Sequence, residues 1–368
     1  MSLSSVSRIS RPFPAARAPR PPHRLRSRPR PRPRSRLAAV TAALAVLTLA
    51  GCSGGEGGSG GGDGGGRTRS IEFGYIADYN QAGLLAIAQK RGLWARNGLN
   101  ASYKVFTDGP TQIAALGAGD LDFGTIGPGA TWLPASGRAT VVAVNQLGRA
   151  DRVVALPGSG ITRTADLKGK KIAVPEGTSG DMILTLALDR AGLTRDDVRI
   201  VPMTPPTAVS ALASRQVDAA ALWYPLLTTV EKRVPGLVHL AGSADFADEF
   251  AFPSSVVTAP ATARKERALV TDVTRVLQEA NDYRHRNPGE SVAITAGFLR
   301  LDPGTVAADA RNTLPLSTAD LVAKTEDGTV TRWFTALQRF FVRTGKLDAV
   351  TDGRKLYTGD LYTEAAAR

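Results

Sequence analysis

Several short stretches of this 368-residue chain carry side chains suited to gripping a small polar molecule. Asp78-Tyr79-Asn80-Gln81 puts a carboxylate, an aromatic ring and two amides just before a helical run. Asp and Asn favour helix starts, so the stretch reads as a cap combined with a ligand contact, with Tyr79 the strongest contact. In "TIGPGA", Thr125 to Ala130, Gly127 and Gly129 let backbone N–H groups come close to a ligand. A helix starting at about Pro128 would aim its unpaired N–H groups at an anion. In "PEGTSGD", Pro175 to Asp181, the hydroxyls of Thr178 and Ser179 could hold oxygen atoms of a ligand or simply cap the next helix, with Asp181 completing a capping box. Glu176 opposes a strongly anionic ligand unless it turns away. Trp223-Tyr224-Pro225 offers an aromatic wall to an apolar or cationic group. Asn145 and Gln146 add amide donors and acceptors.

Catalysis is poorly supplied. Outside the N-terminal segment that holds His23, the only imidazoles are His239 and His285, and Cys52 is the only cysteine. Beyond the glycine-rich stretch that ends at Gly66, the chain has no HExxH, no CxxC and no GxSxG, so metal or triad chemistry would need other residues. These features predict a binding protein, not an enzyme, with no cofactor and no metal.

The elements that must position these residues are written twice. "LDFGTIGPG" starts at Leu121 and "VDAAALWYP" at Val217, and their aspartates, Asp122 and Asp218, lie 96 positions apart. Strand-like "IEFGYI", a helix ending at Gly92, strand-like "ASYKVF", a short helix and "LDFGTI" give the order β-α-β-α-β. "KIAVP", a helix ending at Gly192, "VRIVPM", "TAVSALASR" and "VDAAALW" repeat it. Strands joined by helical crossovers are expected to be parallel. The expected fold class is therefore α/β, with two parallel-sheet lobes joined by a two-segment hinge. Ligands sit beyond the carboxyl ends of such strands, so Gly127 and Trp223, which align in the repeat, should face one cleft. Asp122 and Asp218 sit at the amino ends and are expected to organise turns, away from that cleft. Arg152–Leu156 and Phe252–Val257 are expected to cross between the lobes. From Ala261 onward the pattern is helical, with Leu269, Val273, Val276, Leu277 and Ala280 on one face and Trp333, Phe334, Leu337, Phe340 and Phe341 on another. These helices should pack on the first lobe.

The formal charge of +13 suggests nucleic acid until its distribution is examined. Residues 1–36 hold eleven Arg and no acid; without them 35 basic residues face 33 acidic ones. The basic signal belongs to a Pro- and Arg-rich tail, not to a domain surface, and no nucleic-acid partner is expected. Leu37 to Gly51 is apolar and uncharged but only 15 residues long, whereas a spanning helix needs about 20. Basic flank, short apolar stretch and small residues make a secretion signal. "SGGEGGSGGGDGGG" follows as a flexible tether, spanning roughly 20 Å as a coil.

Two resemblances follow from these residues. Leu49-Ala50-Gly51-Cys52 resembles the bacterial lipobox, which implies a lipid on Cys52 and a position anchored to the outer face of the cell membrane. The runs "GLLAIAQKRGLWARNGLNASYKVFTDGPTQIAALGAGDLDFGTIGPGA", "ADLKGKKIAVPEGTSGDMILTLALDRAGL" and "ALASRQVDAAALWYPLLTTVE" resemble the substrate-binding proteins of nitrate/sulfonate/taurine-type ABC importers. The likeness covers about Ile71 to Val257 well and the C-terminal helices loosely. It implies a two-lobed periplasmic-binding-protein fold of the second topological type, closure around a small anion, and delivery to the transmembrane subunits of a permease, with the binding protein acting as a monomer. A thiamine-pyrimidine precursor is the alternative ligand, stacked on Trp223 and Tyr79 and held by a carboxylate such as Asp78 or Glu249. A pyrimidine-making enzyme of related fold is a lesser alternative, since its Cys-rich motif is missing, as is a surface sensor. The organisation expected is a signal segment over 1–52, a tether over 53–68, the first part of lobe one over 69–152, lobe two over 153–252, and the return to lobe one with the C-terminal helices over 253–368.

Overall fold

The computed structural model describes residues 68–367. The basic tail, the apolar stretch, Cys52 and nearly all of the tether lie outside the described residues. Within them, two sheets form. The first holds β1 (Arg69–Ile76), β2 (Leu99–Phe106), β3 (Phe123–Ile126), β4 (Thr140–Gly148), β10 (Pro253–Thr258) and β11 (Thr313–Leu314). The second holds β5 (Asp151–Ala155), β6 (Lys171–Val174), β7 (Arg199–Pro202), β8 (Ala219–Trp223) and β9 (Val238–Gly242).

The strand orders are β11-β4-β10-β3-β1-β2 and β7-β6-β8-β5-β9. Each sheet therefore reads second, first, third, an incoming strand, fourth. The three strands of each β-α-β-α-β unit are parallel, as the crossover argument requires. The incoming strands run antiparallel to them: β5 pairs with β8, and β10 with β3. So both sheets are mixed, not purely parallel. The repeat also reaches further than the sequence expectation, because each lobe receives one strand from the crossing chain in the same slot.

The crossing segments need correction. Arg152–Leu156 and Phe252–Val257 fall almost entirely within β5 and β10, inside the sheets. Their apolar, β-branched character is what a doubly covered strand needs. The chain crosses just before each of them, at Arg149–Ala150 and over Ala247–Phe252.

Asp122 and Asp218 do the same job in each lobe. Asp122 Oδ2 accepts the backbone N–H of Glu72 at 2.8 Å, and Asp218 Oδ2 accepts that of Lys171 at 2.8 Å. Each ties the start of a third strand to the start of its first strand, at the sheet end away from the cleft. A hydrogen bond to a charged acceptor is worth about 1.5–3 kcal/mol, less where solvent reaches it.

Packing follows the sequence pattern. Phe73 and Phe123 stack with ring centroids 5.6 Å apart, and Trp94 closes over Phe73. In the second lobe, β8 is Ala-Ala-Ala-Leu-Trp and fully buried. Its small side chains let the helix Ser179–Arg190 lie so close that a Cβ on Gly180 would stand 2.6 Å from the Ala221 carbonyl oxygen. The helix Arg267–Arg286 buries Leu269, Val273, Val276, Leu277 and Ala280 against the helix Tyr79–Lys90 and β4. In the helix Thr329–Arg343, Phe334, Leu337, Phe340 and Phe341 are buried, while Trp333 is half-buried. Beyond that helix the chain also reaches the second lobe: Lys346 Nζ lies 3.2 Å from Asp181.

Candidate functional site

The carboxyl ends of β1, β3, β6 and β8 meet across one cavity. From the first lobe Asp78, Asn80, Gln81 and Asp108 face it, with Gly127 and Pro128. From the second come Asp151, Thr178, Ser179, Trp223 and Tyr224. The cavity offers about 40 Å³ to water-sized molecules, where roughly 10–15 Å³ suffices for one water. The two lobes thus leave between them a partly open space of a size for a small polar solute.

One contact sets how close they come. A Cβ built on Gly129 would fall 2.1 Å from the Thr178 carbonyl oxygen and 2.3 Å from the Ser179 nitrogen. Only glycine permits that approach of two backbones across the cleft. Gly127 is roomier, its notional Cβ 3.4 Å from Ser179 Oγ. Around this point, Trp132 Nε1 donates to the Gly177 carbonyl at 3.4 Å. The Lys346–Asp181 pair adds an ionic link, and Asp181, 1% exposed, is held from its own lobe by Arg195 at 2.5 Å. The expected capping box does not form: Asp181 Oδ2 accepts the N–H of Gly177 at 2.9 Å, one residue before the N-cap Thr178, and the Thr178 hydroxyl donates to the Pro175 carbonyl at 2.6 Å instead of capping the helix.

Of the ten residues singled out from sequence, eight line the cavity: Asp78, Asn80, Gly127, Pro128, Thr178, Ser179, Trp223 and Tyr224. Two do not. Tyr79 is the first residue of its helix, and its ring is buried among Ala296 and Val306 behind the cavity. Helical geometry turns adjacent residues about 100° apart, so Asp78 and Asn80 can face the cleft while Tyr79 faces the core. Gln146 supports from behind, donating to Asn80 Oδ1 at 2.6 Å, while Asn80 Nδ2 donates to Ser254 at 2.5 Å. Asn145 donates to the Asn80 carbonyl. The helix expected from Pro128 is only a 3-10 turn, Pro128–Ala130, followed by one turn over Trp132–Ala135. That is too short to act as an anion site through its dipole. Glu176 does turn away, pairing with Arg195 at 3.4 Å, and Glu249 pairs with Arg190 at 2.5 Å, outside the cavity.

Gln81, the last residue of the stretch singled out from sequence, also lines the cavity, whereas sequence reasoning missed Asp108 and Asp151. Asp108 caps the helix Gly109–Ala118, accepting from Thr111 N at 2.9 Å. It follows β2, so the rule that strand ends face the cleft could have found it. Asp151 gave no such signal, since it begins the incoming strand.

The electrostatics are one-sided. No Lys, Arg or His lines the cavity. The guanidinium of Arg152 is committed to the carbonyls of Arg149 and Asp151, at 2.6 and 2.7 Å, and to Asn312. Burial pushes Asp151 up to about 6, against a hydrogen bond from Ser179 and the charge of Arg152. Burial also holds Asp78 well above the usual carboxylate range, with the charges of Asp309 and Asp151 adding to it and the Gln81 N–H opposing. Asp309, which accepts the Tyr79 N–H at 2.7 Å behind the cavity, is raised to about 7 by burial. Asp151 Oδ1 and Gln81 Oε1 are buried and have no partner. Among the described residues, no group of three or more His, Cys, Asp or Glu is placed to hold a metal ion.

Comparison with known proteins gives a consistent result. The model of the NMT1/THI5-like family matches residues 79–291. A Brucella abortus (strain 2308) protein named "Putative binding protein" is 48% identical over 293 residues, covering 80% of this chain and 91% of its own. The crystal structure of the periplasmic aliphatic sulphonate binding protein SsuA from Escherichia coli superposes with a TM-score of 0.59 at 23% identity, over 78% of this chain and 91% of that one. The desulfurization enzyme DSZB shares the fold with a TM-score of 0.58 at 17% identity, over 82% and 99%. The fold is thus the two-lobed one of the periplasmic binding proteins.

The raised carboxyls predict an unusual pH dependence. Between their ordinary value of 3.8 and the raised values of about 6 and 7, the folded chain keeps protons that the unfolded chain has lost. Their contribution is full below 3.8 and is lost as pH rises through 6 to 7, costing about 3 kcal/mol for Asp151 alone. Asp166, drawn down to about 2 chiefly by the Thr162 N–H, titrates below this window. The melting temperature of ligand-free protein should fall between pH 5 and 8, and Asp151→Asn should flatten the slope. A melting temperature that rises over that range would contradict the assignment.

Proposed function

The chain belongs to the NMT1/THI5-like family, and from that premise we propose that it is an extracytoplasmic solute-binding protein that closes on a small polar solute and delivers it to an ABC importer. One observation carries the reading: polar groups from two duplicated lobes converge on one cavity, beside a contact between the lobes that only glycine allows. The relative named for sulphonate binding has the same fold, which supports solute capture without fixing the solute. Fold alone does not separate binding from catalysis, as the desulfurization enzyme illustrates. Here no thiol, imidazole or amine lines the cavity, which favours binding. The alternative ligand, a pyrimidine precursor, is supported by a specific juxtaposition: Asp78, Trp223 and Tyr224 line the same cavity.

Anchoring through Cys52 completes the proposal. Among the described residues no helix is long and apolar enough to cross a membrane. A lipid on Cys52 with the glycine-rich tether would keep the lobes near a permease. Cys52→Ala should move the protein from the membrane fraction to the soluble one; unchanged partition would rule out the anchor.

Closure is tested at Gly129. Gly129→Ala should leave folding intact, because the atoms nearest its added methyl belong to the opposite lobe, but should weaken solute binding at least about tenfold, equivalent to about 1.4 kcal/mol. Calorimetric titration of wild type and variant with any solute that co-purifies in native mass spectrometry checks this. Equal affinities would contradict it.

A further inference from the structure

We propose that the solute is a small organic cation, an amine or amidine, whose N–H groups are held by Asp151 and Asp78, and that free oxyanions such as sulfonate or nitrate are rejected. The inference rests on the solute-binding reading and specifies its ligand. Three observations carry it.

First, three carboxylates, Asp78, Asp108 and Asp151, line the cavity and no cationic side chain does. Asp78 comes from the first lobe and Asp151 from the second, so closing brings two acids together in a space that excludes most water. Burying a charge without a partner costs several kcal/mol. Asp151 has Ser179 and the charge of Arg152 beside it; a ligand ammonium or amidinium would add a cation shared by both acids, and its arrival would draw the lobes together.

Second, the two unpartnered side-chain atoms on cavity-lining residues are both acceptors. Asp151 is 4% exposed and Gln81 is 4% exposed, and Asp151 Oδ1 and Gln81 Oε1 accept no hydrogen bond. Buried acceptors without donors are rare. Both belong to residues that line the cavity, so the occupant must donate. An oxyanion cannot, and would set its own charge against the carboxylates. Asn80, by contrast, has its side-chain amide committed within the first lobe, and the donors that reach the Asp78 carboxylate are backbone N–H groups of its own helix start, Gln81 at 2.7 Å and Asn80.

Third, Trp223 and Tyr224 form the apolar side. Aromatic faces attract cations, and Arg152 already lies over the Tyr224 ring at 5.7 Å. The Tyr224 hydroxyl is fixed by Glu231 at 2.8 Å.

The test uses charge-sorted probes. A small-molecule extract of bacterial cells is split on ion-exchange resins into cationic, neutral and anionic fractions, and each is added to the full chain in a melting assay, with sodium ethanesulfonate and sodium nitrate alongside. The cationic fraction should raise the melting temperature of the wild type. Asp151→Asn, and separately Asp78→Asn, should reduce apparent affinity for that fraction at least about tenfold, the effect expected for losing a charge-assisted bond. Asn caps a helix as well as Asp does, so Asp78→Asn keeps the fold, and its ligand-free melting confirms that. A shift from the anionic or neutral fraction, from ethanesulfonate or from nitrate, retained in Asp151→Asn, would overturn the cation assignment and leave solute binding standing. A shift from no fraction at all would remove the solute-binding reading, and this inference with it.

Discussion

Two backbones meet across the cleft where Gly129 faces Thr178 and Ser179, and the rest of the structure is arranged around that approach. A single methyl there would overlap a peptide group. The contact is made by the loop after the third strand of one lobe and the loop after the first strand of the other. Both loops occupy the carboxyl ends of parallel strands because each lobe repeats one β-α-β-α-β unit. The duplicated aspartates at the opposite ends fix where each third strand begins, and so fix the level at which its tip emerges. The site is thus a consequence of register as much as of the residues that line it.

The electrostatics add a second constraint. A closed cleft is dry, and dry carboxylates resist ionisation. Asp78, Asp151 and Asp309 are held in such surroundings, and Arg284, itself buried, bonds the Asn145 carbonyl and Asn281 through Nη2 alone. Burial lowers Arg284 to about 10. Under the proposed reading, these buried acids would favour parting of the empty lobes and closing on a matching group, as in a two-state hinge.

Much of this was legible in the chain. Period, helix-ending glycines and the recurring Asp fixed both units and most strands, and the expectation that strand tips face one cleft located eight cavity residues. Tyr79 lies off the cavity because a ring next to two cleft-facing polar residues lies on another face of the same helical turn. Gln146 lies behind it because a buried amide can serve a neighbour, here Asn80. Asp151 was invisible for a topological reason: it starts a strand that enters its sheet from the other lobe, and nothing local marks such an entry. The crossing segments were misplaced by a few residues for the same cause, since the apolar strand is conspicuous and the short polar crossing before it is not. The Gly129 contact could not be read at all, because it depends on how the lobes face each other.

The account depends on closure, and closure is a distance. Cys52→Ser leaves no other thiol in the chain, so Asn100→Cys and Asp196→Cys, exposed on separate lobes, can be spin-labelled as a pair and their separation measured by electron double resonance. The account predicts a broad or double distribution in the empty protein that collapses to one shorter distance at saturating solute, and that stays broad when Gly129→Ala is added. A single distribution unchanged by a solute of proven affinity would contradict it.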